Sequence, residues 1–232
     1  MKNNRAFLVL FAALLLAFAS CKKSNDPQDQ EDLKSTWIKD LPGDTLASMG
    51  DEVEGREKRP FHPFLFRFSD RKQVFLKTEQ DSADFLKTGD WDLCFGDVYN
   101  SEVSCNSGTL KGSPGFGGPG KGAAIVIIDK PYHQVYEAPA DDQFIHDGKA
   151  GVGWDPGNGN GWFFYSLGNH LVQPVKNRTF VLKTAGGKFV KLQLINVYKG
   201  NPPLVVDLFW PAPWFTFRYF VQEDGSRNLN TN

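Results

Sequence analysis

The stretch from 178 to 198, RTFVLKTAGGKFVKLQLINVY, decides the fold. Its two arms, 178–184 and 188–198, contain many β-branched and aromatic residues, which favour strands. Between the arms lie Gly186 and Gly187, which can supply the positive φ that a tight hairpin turn requires. The stretch therefore predicts two antiparallel strands joined by a short turn.

Strand-like segments recur on both sides of this hairpin. Residues 64–68, FLFRF, alternate in the period of two that is typical of a strand. Further strands are predicted at 91–95, 123–128, 162–167, 204–209 and 214–221. A single helical turn is favoured at 81–87. Together these elements predict one all-β domain at 37–232.

The first twenty residues have the form of a bacterial secretory signal peptide. Lys2 and Arg5 precede an apolar run, and Cys21 follows small residues, as in lipoprotein signals that are cut before an acylated cysteine. The alternative is a transmembrane anchor, but a run of about 15 residues is shorter than the ~20 that a spanning helix needs. We expect a signal peptide at 1–20, lipid on Cys21 and a flexible tether at 21–36. Attachment to the outer membrane would then rest on lipid alone, on either its periplasmic or its cell-surface face.

Composition and charge narrow the function classes. The chain carries 26 Lys and Arg against 27 Asp and Glu, and removal of the signal peptide would take two of the basic residues with it. A mature net charge near −3 provides no electrostatic footprint for nucleic acid. Twenty phenylalanines and six tryptophans make a large aromatic load, much of which must form the core.

Cys94 and Cys105 remain once Cys21 is assigned to lipid. The cell envelope permits disulfides, and facing positions on a hairpin would bring two cysteines within the ~4–7 Å Cα separation that a bridge needs. We expect a disulfide between Cys94 and Cys105, with two buried free thiols as the alternative. Neither lies in a CxxCH or CxxC motif, so covalent haem and structural zinc are not expected.

Catalytic motifs do not stand out. The glycine-rich segment 115–122, GFGGPGKG, matches GxGxxG, but a strand-like run follows it where a phosphate site needs a helix. The sequence has no GxSxG, HExxH or EF-hand pattern. We therefore expect a protein that is not an enzyme. A hydrolase, whose carboxylates cannot be paired from sequence, is the alternative.

Four histidines are candidate ligands. His62 and His133 lie near prolines, at a strand start and a turn, and are expected to be structural. His146 and His170 are each expected in a loop after a strand-like segment, where binding sites are common. Two neutral imidazoles on opposite faces of haem would give six-coordinate iron. His146 and His170 are therefore the predicted haem ligands, provided that the fold brings them together.

Several segments share the order and spacing of one known family. They are 64–68 (FLFRF), 91–95 (WDLCF), 106–109 (NSGT), 120–124 (GKGAA), 161–166 (GWFFYS) and 177–191 (NRTFVLKTAGGKFVK). On these segments the chain resembles the HmuY-like lipoproteins, secreted haem-binding proteins of Gram-negative bacteria. The resemblance implies two antiparallel sheets in a sandwich-like domain. It also implies loops that grip haem b non-covalently at one end, for hand-over to an outer-membrane receptor.

One family ligand position differs in this chain. The second family histidine corresponds to Leu167, which cannot ligate iron, and His170 follows three residues later. The predicted function is a lipid-anchored envelope protein that binds haem, or another flat hydrophobic ligand, for iron acquisition. The alternative is a non-haem extracytoplasmic lipoprotein of the same fold that binds another ligand or a partner protein.

Overall fold

The computed structural model describes residues 32–51, 55–207 and 209–232. The strands are β1 (Thr36–Pro42), β2 (Ala47–Ser48), β3 (Glu57–Lys58), β4 (Phe64–Phe66), β5 (Gln73–Phe75), β6 (Leu93–Gly96), β7 (Glu102–Cys105), β8 (Val126–Ile128), β9 (Gly151–Val152), β10 (Phe163–Tyr165), β11 (Val172–Pro174), β12 (Thr179–Lys183), β13 (Phe189–Asn196) and β14 (Trp214–Val221). The helices are α1 (Glu79–Phe85) and α2 (Asp141–His146), with 3₁₀ turns η1 (Val98–Asn100) and η2 (Tyr132–Gln134).

Two five-stranded antiparallel sheets form the body of the domain. Sheet A has the order β1-β14-β13-β12-β8, and sheet B has the order β5-β4-β6-β7-β9. The predicted hairpin is the centre of sheet A, where Phe180 of β12 lies opposite Leu192 of β13. Its turn closes with the Thr184 N–H donating to Lys188 O at 2.8 Å, and Gly187 adopts φ +91°. The all-β, sandwich-like prediction is confirmed.

Aromatic side chains from both sheets fill the central core. Phe64 and Phe95 of sheet B stack with their ring centroids 4.6 Å apart. Phe66 meets Phe217 of sheet A edge-on at 5.3 Å. Because burial of a large apolar side chain contributes about 1.5–3 kcal/mol, this aromatic core is the main source of cohesion between the sheets.

Both sheets are also covered on their outer faces. Leu65, Trp91 and Cys94 form a second cluster on sheet B, against residues at the end of α1. On sheet A, the outer cluster includes Phe144 of α2 and Leu229 near the C-terminus. The strands of each sheet therefore bury side chains on both faces.

The outer face of sheet A also buries two cationic residues. Lys191 Nζ donates to Val135 O at 3.1 Å and to Thr231 Oγ1 at 3.0 Å. The guanidinium of Arg218 lies 4.1 Å from the ring centroid of Tyr132, and Lys191 Nζ lies 4.2 Å from it. Burial lowers the pKa of Lys191 to about 8. These contacts join sheet A to η2 and to the C-terminal residues.

Cys94 and Cys105 are free, buried thiols, which corrects the predicted disulfide. β6 pairs with β7 so that Leu93 lies opposite Cys105, and Cys94 lies opposite Ser104. Because successive side chains of a strand alternate between faces, Cys94 faces the outer cluster and Cys105 the central core. Side chains on opposite faces of a sheet cannot be bridged without backbone movement.

Three local elements differ from the sequence predictions. The helix predicted at 81–87 begins earlier, because Thr78 caps it: Thr78 Oγ1 accepts from the Asp81 N–H at 3.0 Å, and Asp81 Oδ2 accepts from the Thr78 N–H at 2.8 Å. The described residues of 204–209 do not form the predicted strand. His146 ends helix α2, where a loop was expected.

Two ends of the sandwich can be told apart. At one, the Asp92 end, the buried Asp92 carboxylate accepts from the N–H groups of Phe68 and Ala185, each at 2.8 Å. Burial raises the pKa of Asp92. β13 starts near the Asp92 end and leads to Tyr198 at the opposite end of the sandwich, which we call the Tyr198 end.

The chain enters the domain at the Asp92 end. Thr36 of β1 lies opposite Tyr219, whose hydroxyl donates to Phe68 O at 2.7 Å. The far end of β1 lies opposite Trp214, whose N–H donates to Val197 O at 2.7 Å. β1 therefore carries the chain from the Asp92 end towards the Tyr198 end.

The predicted signal peptide at 1–20 and the predicted acylated Cys21 lie outside the described residues, as does most of the predicted tether at 21–36. The last tether residues contact the domain, since Ser35 Oγ lies 2.8 Å from Tyr132 Oη. Among the residues that the structure describes, no helix is long and apolar enough to cross a membrane.

Candidate functional site

A β hairpin at the Tyr198 end carries the first candidate residues. β10 and β11 pair so that Phe163 lies opposite Pro174 and Tyr165 lies opposite Val172. The Val172 N–H donates to Tyr198 Oη at 2.9 Å. This bond anchors the hairpin to the residues that follow β13.

The turn of this hairpin places His170. Its N–H donates to Ser166 O at 2.8 Å, and the Ser166 N–H donates to Leu171 O at 3.1 Å. His170 adopts φ +58°, in the left-handed region that non-glycine residues seldom occupy. Such strain persists where surrounding contacts fix it, and it is often found at functional sites.

Tyr165 and His170 form a hydrogen-bonded pair across the turn. Tyr165 Oη and His170 Nδ1 lie 2.8 Å apart, and the ring centroids are 5.9 Å apart. Tyr165 packs partly against the core, whereas His170 is exposed. Burial, helped by the neighbouring Tyr99, raises the pKa of Tyr165. The pair therefore places a phenol oxygen and an imidazole nitrogen within hydrogen-bond distance of each other on one side of the hairpin.

Two further tyrosines lie near this pair. Burial raises the pKa of Tyr198, and Tyr99 and Tyr165 add to the effect. Tyr99, in η1, adopts φ +54° and packs on Phe61 with ring centroids 4.8 Å apart. Tyr99, Tyr165 and Tyr198 therefore bring three phenol groups close to one another at this end.

The apolar loop, residues 199–207 and 209–211, begins directly after Tyr198. The Lys199 N–H donates to Pro211 O at 3.0 Å, and Trp210 Nε1 donates to Lys199 O at 2.9 Å, so the loop is closed at its base. Large exposed apolar side chains of this loop and of the neighbouring hairpin are Leu204, Val206, Phe209 and Leu167. Contiguous patches of exposed apolar side chains mark ligand or protein interaction sites, so this end is a candidate for one.

His146 lies elsewhere, and this corrects the predicted pairing with His170. Two residues before His146, the ring of Phe144 lies 6.1 Å from that of Phe189, at the start of β13. His170 lies two residues before Val172, which is bonded to Tyr198 beyond the end of β13. At about 3.3 Å per residue, the eight residues of β13 separate these points by roughly 25 Å. Two axial ligands of one iron cannot be that far apart.

The other two histidines take no part in the contacts described for the Tyr165–His170 pair. The His62 N–H donates to Asp44 Oδ2 at 2.9 Å, in a network that also holds Arg59. His133 belongs to η2, on the outer face of sheet A. Their predicted structural roles stay predictions.

The glycine-rich segment packs closely around a buried side chain. Asn106 Nδ2 donates to Trp91 O at 2.8 Å, and a Cβ at Gly115 or Gly120 would collide with the Asn106 amide oxygen. The segment leads into β8 rather than into a helix. Its glycines are therefore explained by packing.

The described residues fit haem in one way and not in another. They include no group of three or more His, Cys, Asp or Glu side chains that could hold a metal ion. The predicted ligand pair, His146 and His170, is too far apart. The Tyr165–His170 pair offers one oxygen and one nitrogen of the kinds that ligate haem iron.

Comparisons with known proteins find only weak similarity to solved structures. Neither a family model nor a curated protein matches this chain. Among solved structures, it is similar to a candidate HmuY-like heme binding protein from Bacteroides vulgatus, with 11% identity and a TM-score of 0.40 over 80% of this chain and 90% of that one. A candidate lipoprotein from Bacteroides fragilis has 8% identity and a TM-score of 0.34, covering 80% and 89%. Apo PinO from Porphyromonas gingivitis has 13% identity and a TM-score of 0.35, over 84% of this chain and 100% of that one.

Sequence reasoning missed most of this site. The sequence predicts Tyr165 only as a residue of the strand at 162–167, and it predicts a strand at 204–209, in the region of the apolar loop. One signal was available: a hairpin turn at 166–171 places Tyr165 and His170 across from each other. The contribution of Tyr198 depends on long-range packing that the sequence does not display.

Proposed function

We propose that this protein is a lipid-anchored envelope protein that captures haem and hands it to an outer-membrane receptor for iron acquisition. It acts as a binding protein without turnover. The observation that supports the proposal is the Tyr165–His170 pair, at the same end of the sandwich as the exposed side chains of the apolar loop.

A haem site needs apolar surface and an axial ligand for the iron, and residues at the Tyr198 end support the proposal on both points. The flat porphyrin needs apolar surface, and each large side chain that it covers contributes up to about 1.5–3 kcal/mol. Phe209 is 87% exposed and Val206 is 79% exposed, so this surface is available to a ligand. Its iron needs an axial nitrogen or oxygen donor, which Tyr165 and His170 can provide.

The position at which the described chain enters the domain supports a carrier that is anchored through its N-terminal segment. The described chain enters at the Asp92 end, and the candidate site lies at the opposite end of the sandwich. A lipid on Cys21 would leave a tether of about 15 residues, which reaches at most roughly 50 Å. Such a tether would leave the Tyr198 end accessible to a receptor, on either face of the outer membrane.

A haemin titration of the full-length protein in detergent tests this proposal. We expect a saturable change in the haemin absorption spectrum at one haemin per chain. Phe209→Ser should weaken binding by about tenfold or more, because it removes apolar surface worth about 1.5–3 kcal/mol when covered. Ile145→Ser is the matched control, since Ile145 is 78% exposed on α2, away from the site. A wild-type protein that leaves the haemin spectrum unchanged would contradict the proposal.

A second candidate function is a lipoprotein of the same fold that binds a partner protein. The exposed apolar side chains at the Tyr198 end favour it, because such groups also serve as anchors of protein interfaces. The same variants separate the two candidates. Haemin binding that is absent from the wild type, together with partner capture that Phe209→Ser abolishes and Ile145→Ser retains, would favour the second.

A further inference from the structure

The edge strand β8 and an acidic cavity beside it form a surface that the proposed function does not use. We infer that this surface, the β8 groove, docks an extended segment of another protein, in which Lys or Arg residues alternate with apolar ones. The segment would add a strand to sheet A, a known mode of peptide recognition. The inference does not rest on the proposed function, and the β8 groove shares no residue with the candidate haem site.

The backbone of β8 is open at its middle residue. β8 is the last strand of sheet A, and β12 is its partner there. Just before β8, Ile125 exchanges two backbone hydrogen bonds with Lys149 on the other side, at 2.7 and 2.9 Å. Because successive residues of a strand point their N–H and C=O groups to alternate sides, Val126 and Ile128 bond towards β12 and Ile127 points away from it. Among the residues that the structure describes, none bonds to the Ile127 N–H or C=O on that open side. An added strand could therefore continue the pairing that Lys149 begins.

The composition of β8 also favours pairing with another chain. Natural sheet edges usually carry charges, prolines or bulges that prevent such pairing. The opposite edge strand of sheet A, β1, has Lys39 and Asp40, with Asp40 at φ +54° and a register shift after Ile38. β8 consists of Val126–Ile128 alone, in regular register with β12 and without a charge or a proline. This edge therefore lacks the usual protection.

A cavity of about 480 Å³ lies along the open edge. Besides β8 itself, its walls are formed by Asp129, Glu137, Pro139, Gln143 and Asp147. The wall that precedes α2 is fixed from behind, because the Ala138 N–H donates to Arg227 O at 2.8 Å. Binding pockets commonly have volumes of roughly 300–1,000 Å³, so the β8 groove has room for a short extended segment.

The charge of the β8 groove indicates the kind of partner. Its charged side chains are the carboxylates of Asp129, Glu137 and Asp147, and none of the described residues that line it is a Lys or Arg. Asp129 is paired with Arg178 at 2.7 Å, whereas the other two carboxylates have no ion-pair partner in the described parts of the chain. Charge complementarity across an interface favours a cationic segment. A second copy of this chain, docked through β8, would bring two sets of these carboxylates together, which disfavours self-pairing.

The two faces of β8 set the side-chain pattern of the segment. Val126 belongs to the outer cluster that includes Phe144 of α2, whereas Ile127 packs against the central core. Because side chains of a strand alternate between faces, an added strand would place every second side chain on the α2 side. Lys or Arg is expected at these positions, since Glu137 and Asp147 flank α2. Apolar residues are expected at the positions beside Ile127.

Amide hydrogen exchange measured by NMR on the full-length protein in detergent tests the site. The probe is a capped Lys-Val-Lys-Val-Lys-Val peptide. In the free protein, the Ile127 amide should exchange much faster than those of Val126 and Ile128. The peptide should slow the exchange of Ile127. A matched Glu-Val-Glu-Val-Glu-Val peptide should not do so. Nor should the Lys-Val peptide N-methylated at every residue, which retains the charges but has no backbone N–H to donate.

Variants separate backbone pairing from charge. Ile127→Pro removes the outward N–H without removing a bond to β12, and proline is tolerated at such edge positions. It should weaken peptide binding by about tenfold, whereas Ile127→Val, the matched control, should bind as the wild type. Glu137→Gln should weaken binding about two- to fivefold at low salt and have little effect in 1 M salt. Glu79→Gln, which removes an exposed carboxylate from α1, is its control and should have no effect.

Each contrary outcome overturns a stated part of the inference. An Ile127 amide that is protected in the free protein would show that the edge is not open. Equal binding of the Lys and Glu peptides, or binding that leaves the exchange of Ile127 unchanged, would overturn the docking site. This holds even if Ile127→Pro fails to fold, because the peptides are compared on the wild type. Concentration-dependent dimerisation that Ile127→Val retains and Glu137→Gln strengthens would make a second copy the occupant and overturn the proposed partner.

Discussion

The loop that leads into β10 is held by one buried ion pair, so Asp155→Asn should destabilise the domain. Asp155 Oδ2 accepts from Arg178 at 2.6 Å, and both side chains are buried. Asp155 Oδ1 accepts the N–H groups of Gly157, Asn158 and Gly159 at 2.8–3.1 Å. In Asp155→Asn, the amide NH₂ would meet the guanidinium donor to donor, while the carbonyl could retain the loop.

The expected loss in the free energy of unfolding depends on the hydrogen bonds that Arg178 retains in the variant. Breaking a buried pair typically costs about 3–5 kcal/mol. Arg178 still donates to Asp129 Oδ1 and to Gly161 O, each at 2.7 Å, so we expect about 2–4 kcal/mol. In a domain of this size, 1 kcal/mol corresponds to about 2–4 °C in Tm, which predicts a loss of about 5–15 °C. Asp129→Asn is the control, because Asp129 is mostly exposed and should cost less than about 1 kcal/mol.

The same pair predicts a pH dependence. Burial alone would raise the pKa of Asp155, but the hydrogen bonds from Arg178 and the loop lower it to about 2. From an ordinary value of 3.8, this shift is worth roughly 2–3 kcal/mol. The contribution is present above pH 4 and is lost as pH falls towards 2. Calorimetry at pH 7 and urea titrations between pH 2 and 5 measure both effects. A Tm within 2 °C of wild type for Asp155→Asn would refute the reasoning.

Three further predictions concern other parts of the chain. Cys21→Ala should release the protein from the membrane fraction, because acyl chains contribute ~0.8 kcal/mol per buried CH₂; quantitative pelleting of this variant would contradict the lipid anchor. Burial raises the pKa of Cys94 and of Cys105 to about 12, so both thiols should resist alkylation until the domain unfolds. Non-reducing mass mapping that finds the two cysteines bridged in the exported protein would contradict this prediction. Burial lowers the pKa of Lys191 to about 8, so between pH 8 and 10 the unfolded chain binds more protons than the folded chain. The free energy of unfolding should therefore rise with pH in this range. Urea titrations should show a smaller rise for Lys191→Met than for the wild type.

The parts of the fold that were predicted are those that local sequence dictates. The hairpin at 178–198 combines strand-forming arms with a glycine turn, and both features act within a few residues. The strand at 204–209 was wrong because an apolar run looks the same whether its side chains are buried or exposed. Only the neighbouring elements decide that question, and Phe209 is exposed.

The errors at the site and at the cysteines have a common cause, which is long-range pairing that the local sequence does not specify. Cys94 and Cys105 lie on neighbouring strands, but the pairing of Cys94 with Ser104 sends their side chains to opposite faces. A shift of one residue would reverse this, and the sequence does not specify it. His146 and His170 likewise lie near opposite ends of β13, a fact of topology rather than of local pattern.

The most direct test of the central claim is the position of the iron in crystals of the haemin complex. An anomalous difference map collected at the iron edge should show one peak per chain at the Tyr198 end, next to the Tyr165–His170 pair. A peak beside His146 or at the Asp92 end would contradict the account.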